Sequence, residues 1–133
     1  MRKTLPLFLV IVAGCSSTEA RGPVSAGLIE GQVLTVQGEP VAGARVTASA
    51  RRALFTPVVA EDSVTSGTDG RYQLLLHSSD VLDANAVAEV RAEPPAGTPL
   101  VGRDSSAVAV WITPTMPPPE TTRVDLHLSY KPD

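Results

Sequence analysis

The sequence predicts an all-β chain, a single antiparallel β-sandwich of about seven short strands. Three observations carry that expectation. From Leu28 onward apolar and polar residues alternate with a period of two, the pattern of half-buried strands. Turn sequences rich in glycine divide these stretches, and Gln37-Gly38-Glu39-Pro40 and Asp69-Gly70 are the clearest of them. No segment keeps a helical period, and 133 residues leave room for one domain. A single sheet would leave its apolar face wet, so two layers about 10 Å apart are expected.

The head of the chain reads differently. Met1-Arg2-Lys3 is a basic start, and Leu5 to Ala13 is an apolar run. That run is well short of the roughly 20 residues a membrane-spanning helix needs, and matches the core of a secretory signal peptide. Val12-Ala13-Gly14-Cys15 then resembles the lipobox of bacterial lipoproteins. The resemblance implies cleavage before Cys15, diacylglycerol on its sulfur, and a fatty acyl chain such as palmitate on the new amine. Residues 1–14 are expected to be lost. Cys15 is the sole cysteine, so no internal disulfide can form.

Loss of Arg2 and Lys3 leaves nine of the 11 basic residues against 14 acidic ones, a formal charge of −5. Such a chain is a poor ligand for nucleic acid, whose binding leans on Lys and Arg. Lipid, not charge, is expected to hold it at a membrane. Residues 15–27, small, polar and rich in breakers, form the expected tether, and residues 28–133 the domain.

Within the domain the first strand places Ile29, Gly31, Val33 and Thr35 on one face and Glu30 and Gln32 on the other. The second, Gly43 to Ala50, turns Ala44, Val46 and Ala48 inward. A weaker third strand is expected within Thr56 to Thr65, and Arg51-Arg52 reads as solvated loop. After Asp69-Gly70, Tyr72, Leu74 and Leu76 alternate with polar residues. Strands at Ala86 to Glu93 and Ser106 to Thr113 follow, then a stiff proline-rich connector from Pro114 to Pro119. The last strand turns Val124, Leu126, Leu128 and Tyr130 inward. The predicted core is Ile29, Val33, Val46, Tyr72, Leu74, Leu76, Val90, Val108, Val110, Ile112, Val124, Leu126 and Leu128. It is thin and has no large internal pocket.

The stretches Gly31-x-Val33, Gly38-x-Pro40-Val41-x-Gly43-Ala44-x-Val46 and Thr68-Asp69-Gly70-Arg71-Tyr72 resemble the carboxypeptidase regulatory-like family, a transthyretin-like β-sandwich. Val124-Asp125-Leu126-x-Leu128 is similar to that family's last strand. The resemblance spans roughly residues 28–130 and implies a non-catalytic accessory domain. Its motifs are structural and carry no chemistry of their own.

Candidate chemistry is sparse. An isopeptide crosslink needs a first-strand lysine and a late asparagine, but the lysines are Lys3 and Lys131 and the one asparagine is Asn85. A transthyretin-like hydrolase would need histidines converging with an arginine, whereas His77 and His127 fall on outward faces. Zinc wants three or four converging ligands, and Glu61-Asp62 or Asp80-x-x-Asp83 offers calcium little. No catalytic residue, metal or cofactor is therefore expected. Trp111, out of phase with Val110 and Ile112, is the one candidate sugar platform. The expected function is that of an envelope lipoprotein anchored through Cys15. It would act as a structural or protein-interaction module, with carbohydrate binding as the alternative. Ser16 after the cysteine points to the outer membrane where two membranes exist, and otherwise to the cell surface.

Overall fold

A computed structural model describes residues 24–53, 55–101 and 105–131. The described chain is all-β. Its nine strands are β1 (Ser25–Thr35), β2 (Arg45–Arg51), β3 (Val58–Thr65), β4 (Arg71–Ser78), β5 (Ala84–Glu93), β6 (Leu100–Val101), β7 (Ser105–Ile112), β8 (Thr121–Arg123) and β9 (Leu126–Tyr130). They form one curled sheet in the order β6-β9-β1-β4-β3-β2-β5-β7, with β8 also on β1. The curl brings the end of β7 back to the start of β1. There Ala26 and Thr113 exchange both backbone hydrogen bonds, at 2.9 and 3.0 Å. Gly27 permits the approach, since a Cβ on it would lie 2.7 Å from Val110 Cγ1.

Three features correct the expectation of seven antiparallel strands. The sheet is mixed, because β8 and β9 both run parallel to β1. The expected last strand is also divided, at Val124-Asp125. Leu100–Val101 adds a short strand with no alternation long enough to read. At the other end β1 starts at Ser25, three residues before the expected domain boundary, and Ser25 and Ala26 are buried.

The alternation decides which side chains go inside. Every second residue of β1, β2, β4 and β5 is buried, and Ile29, Val33, Val46, Leu74, Leu76 and Val90 are wholly so. Burying a side chain of this size contributes about 2 kcal/mol. Of the predicted core, Val108 is only half-buried, in the more exposed first half of β7. Tyr130, expected inward, is 42 % exposed. Alanines fill much of the remaining interior, with Ala48, Ala50, Ala88 and Ala92 across paired strands. Such small side chains let the walls of the curl approach closely.

The turns follow their sequences. Gly38 takes φ +92°, and Thr35 holds that turn, its Oγ1 accepting from the amides of Gln37 and Glu39. Gly70 takes φ +79° with its amide donating to Gly67, and its carbonyl accepts from Val33 N at 2.8 Å. Ser66 is buried and ties the loop after β3 to the approach to β2. Its Oγ donates to Val41 O at 2.7 Å and accepts from Ala44 N at 3.0 Å. Between β3 and β4 the ladder is reduced to one pair, Glu61 with His77. Beside it the Asp62 carboxylate accepts Leu75 N at 3.0 Å, in place of a backbone carbonyl.

Gly31 sits where the parallel seam is interrupted. Opposite it the Val124 carbonyl turns inward, over the space a Cβ would occupy, and accepts the hydroxyl of Tyr72. Asp125 restores the ladder through its side chain, with Oδ1 accepting Gln32 N at 3.0 Å. Burial, and secondarily the Asp125 carboxylate, push the Tyr72 phenol well above its ordinary range, against a smaller opposing pull from Arg123.

Gly31→Ala is expected to cost about 3 kcal/mol or more in urea unfolding, since backbone must move to admit the methyl group. Gly38→Ala meets no atom within 4 Å and should cost only about 1 kcal/mol, from its positive φ. Equal losses would contradict the close packing at Gly31. The folded state keeps the Tyr72 proton that the unfolded chain releases near pH 10. Stability is therefore intact below about pH 10 and falls as pH rises beyond it. Tyr72→Phe should flatten that alkaline slope in denaturation curves, and an unchanged slope would refute the assignment.

Candidate functional site

Strand pairing fixes where each candidate residue lies. His77 pairs with Ala26 at one end of β1, and His127 with Leu34 at the other. Eight residues separate those positions, about 26 Å at roughly 3.3 Å per residue. The two imidazoles therefore share no site. Glu61 and Asp62, neighbours on a strand, point to opposite faces, and Asp62 is engaged by the Leu75 amide. Among the described residues no three His, Cys, Asp or Glu side chains gather as a metal site. Cys15 lies outside the described residues.

Trp111 has the best-defined surroundings of the candidates. Its place on β7, one step out of phase with the buried Val110 and Ile112, turns the indole to the outer face, where it is half-buried. The ring is pinned by Nε1 donating to Asp83 Oδ1 at 2.8 Å. Asn85 pairs directly opposite Trp111 across the ladder, and Glu120 comes from the proline-rich connector. Together they line an open hollow of about 430 Å³. It offers one aromatic face, one amide and two carboxylates, and no basic residue lines it. Those groups can stack on and hydrogen-bond to a polyhydroxylated ligand. Of the partners, Asp83 was visible in sequence only as half of an acidic pair. Glu120 had no signal at all, because a loop brings it in.

A second hollow lies on the outer face over Gly31 and Tyr72. Its arginines are locally balanced, Arg71 by Asp69 at 3.7 Å and Arg123 by Asp125 at 3.2 Å. With Glu30 also on its wall, it holds no surplus positive charge for an anion. These exposed pairs contribute at most about 1 kcal/mol each.

The third feature is Phe55, between β2 and β3. The side chain is fully exposed and the residue adopts φ 67°, a conformation uncommon outside glycine. Its loop is braced: Arg51 Nη1 donates to Thr56 O at 2.6 Å, and Thr56 Oγ1 donates to Ala53 O at 2.7 Å. Phe55, Ala53, Val87 and Ala107, with Ser49, Arg51 and Glu89, border a hollow of about 410 Å³ over the outer face of β2, β5 and β7. No alternation runs through this ring, so nothing marked it as exposed.

The arrangement presents surfaces for contact at its two ends and outer face, with Trp111 and Phe55 as the aromatic features. Searches against protein-family models and curated proteins found no match to the chain.

Proposed function

We propose that this protein is a lipid-anchored component of a bacterial cell envelope, whose folded part is a non-catalytic structural or protein-interaction module. The observation that carries the reading is the order of residues at the head of the chain. A basic start, an apolar run and Val12-Ala13-Gly14-Cys15 precede a short polar stretch and then the β domain. The anchor is Cys15, acylated, with the outer membrane or the cell surface as its place.

For the folded part we propose a transthyretin-like sandwich of the carboxypeptidase regulatory-like kind. The loosened seam between β3 and β4 supports it, since it divides the curl into β6-β9-β1-β4 and β3-β2-β5-β7. A core filled with alanine and valine supports a role by surface contact, as it leaves little interior space for a substrate. Edge strands then offer a route to partners through strand addition.

Carbohydrate binding is the second reading, and one observation favours it. Trp111 is held by Asp83 beside Asn85 and Glu120, so its ring face is fixed before any ligand arrives.

Metabolic labelling with a fatty-acid probe tests the anchor. Wild type is expected to take up label and Cys15→Ser to take up none, and equal labelling would sink the proposal. A glycan array tests the second reading: a sugar signal that Trp111→Ala abolishes would establish a carbohydrate module. A blank array, with envelope proteins captured by cross-linking in cells, is the outcome expected of the first.

A further inference from the structure

We infer that one end of the curled sheet rests on the bilayer, with Phe55 seated among the lipid headgroups and upper acyl chains. The inference builds on the proposed anchor at Cys15 and adds an orientation that the anchor does not supply.

Register defines that end. Ser25 pairs with Ser78, Arg51 with Val58, and Ala84 with Ile112. The start of β1, the β2–β3 and β4–β5 loops and the chain after β7 therefore all lie together. Each carries an exposed apolar side chain: Val24 at 42 %, Phe55 at 101 %, Val81 at 72 % and Met116 at 44 %. At the opposite end Val36 and Tyr130 are exposed, but the turns are tight, with Gly38, Gly43, Gly70 and Gly97 all at positive φ.

Three further observations favour lipid over a protein. The apolar side chains come from four separate segments spaced around a rim, whereas a protein interface has a contiguous packed core. Phe55 stands on a hydrogen-bonded loop in a conformation that keeps its ring in solvent, and Arg51 and Arg52 precede it. Arginines so placed can keep their guanidinium groups at phosphate depth while their stems follow the ring. Finally, Val24, where the described chain begins, lies at this end. Eight residues lie between it and Cys15, nine chain steps that reach at most about 30 Å. A lipid on Cys15 keeps the rim near the membrane, where even a weak contact is populated.

Asp80, Asp83 and Glu120 lie at the same end as Arg51 and Arg52, so anionic lipid gains no purchase there. The contact is apolar, and neutral lipid suffices for it.

The test uses the full lipidated protein in phosphatidylcholine vesicles, with and without brominated acyl chains. Trp111 is the one native tryptophan, so Phe55→Trp and, as control at the far end, Val36→Trp are each made with Trp111→Phe. Circular dichroism matching the parent shows that the carriers fold. Should Trp111→Phe impair folding, both are read in the native background as differences from the parent. The indole at position 55 is expected to shift to the blue and lose intensity in brominated vesicles, while that at position 36 does neither. Flotation with the vesicles but no quenching at 55 overturns the inference and leaves the anchor standing. Failure to float removes the anchor and the inference with it. An unquenched position 55 that cross-links to an envelope protein in cells makes the rim a protein-docking surface, which also overturns it.

Discussion

Gly31, Tyr72 and Val124 meet where the last part of the chain joins the first strand. The register offset between β1 and the C-terminal segment is the same on both sides of this point, 93 residues at Leu28 with Thr121 and again at Val33 with Leu126. One strand thus runs through, with a single peptide turned out of the ladder. Its carbonyl would be an unsatisfied buried acceptor, at a cost of about 1–3 kcal/mol, without the Tyr72 hydroxyl. The hydroxyl reaches it because Tyr72 pairs directly with Gly31 across β1 and β4, and because Gly31 has no side chain to intervene. Three strands are joined at that point. Leu126 and Leu128, both buried, depend on it for their place in the core.

That dependence explains what the sequence showed and what it hid. Period-two alternation reports which face of a strand is wet, so the inward sets of β2, β4 and of β1 from Ile29 onward were legible residue by residue. Alternation is silent on the neighbour. A parallel β8 and β9 write the same pattern as an antiparallel hairpin would, and Val124-Asp125 keeps its phase even though its peptide is flipped. Ser25 and Ala26 read as tether because they are small and, in the case of Ser25, polar. They are buried because β7 closes on β1, with the Ser25 hydroxyl taking the Leu82 amide at 2.9 Å. Small residues are drawn inside by the close approach of backbones, which a hydrophobicity pattern does not record.

The candidate sites were legible in the same partial way. Trp111 stood out by being one step out of phase, and its outward setting follows from that phase. Its partners Asp83 and Glu120 lie on loops, where no periodicity applies. Phe55 was visible as one of few aromatics, but its exposure follows from a backbone angle that no local motif demanded. Residues of strands could be placed from sequence, then, while residues of loops could be placed only when a glycine or a proline dictated the turn.

The thin core bears on where recognition can occur. Across the central ladder Ala48 faces Val90, and Ala50 faces Ala88, all without solvent exposure. Walls lined with methyl groups approach too closely for a ligand to enter between them. Enlarging that space means replacing alanines by nothing smaller than glycine, which weakens strands before it opens a pocket. Such a sheet acquires new contacts on its outer face and at its ends, where loops change without disturbing the core. The two ends are unequal in this respect. At one, positive-φ glycines and the Thr35 and Ser66 hydroxyls hold short turns close to the strands. At the other, the loops carry Phe55, Val81 and Met116 outward. That end presents apolar side chains from three connections, on loops that can change without disturbing the core.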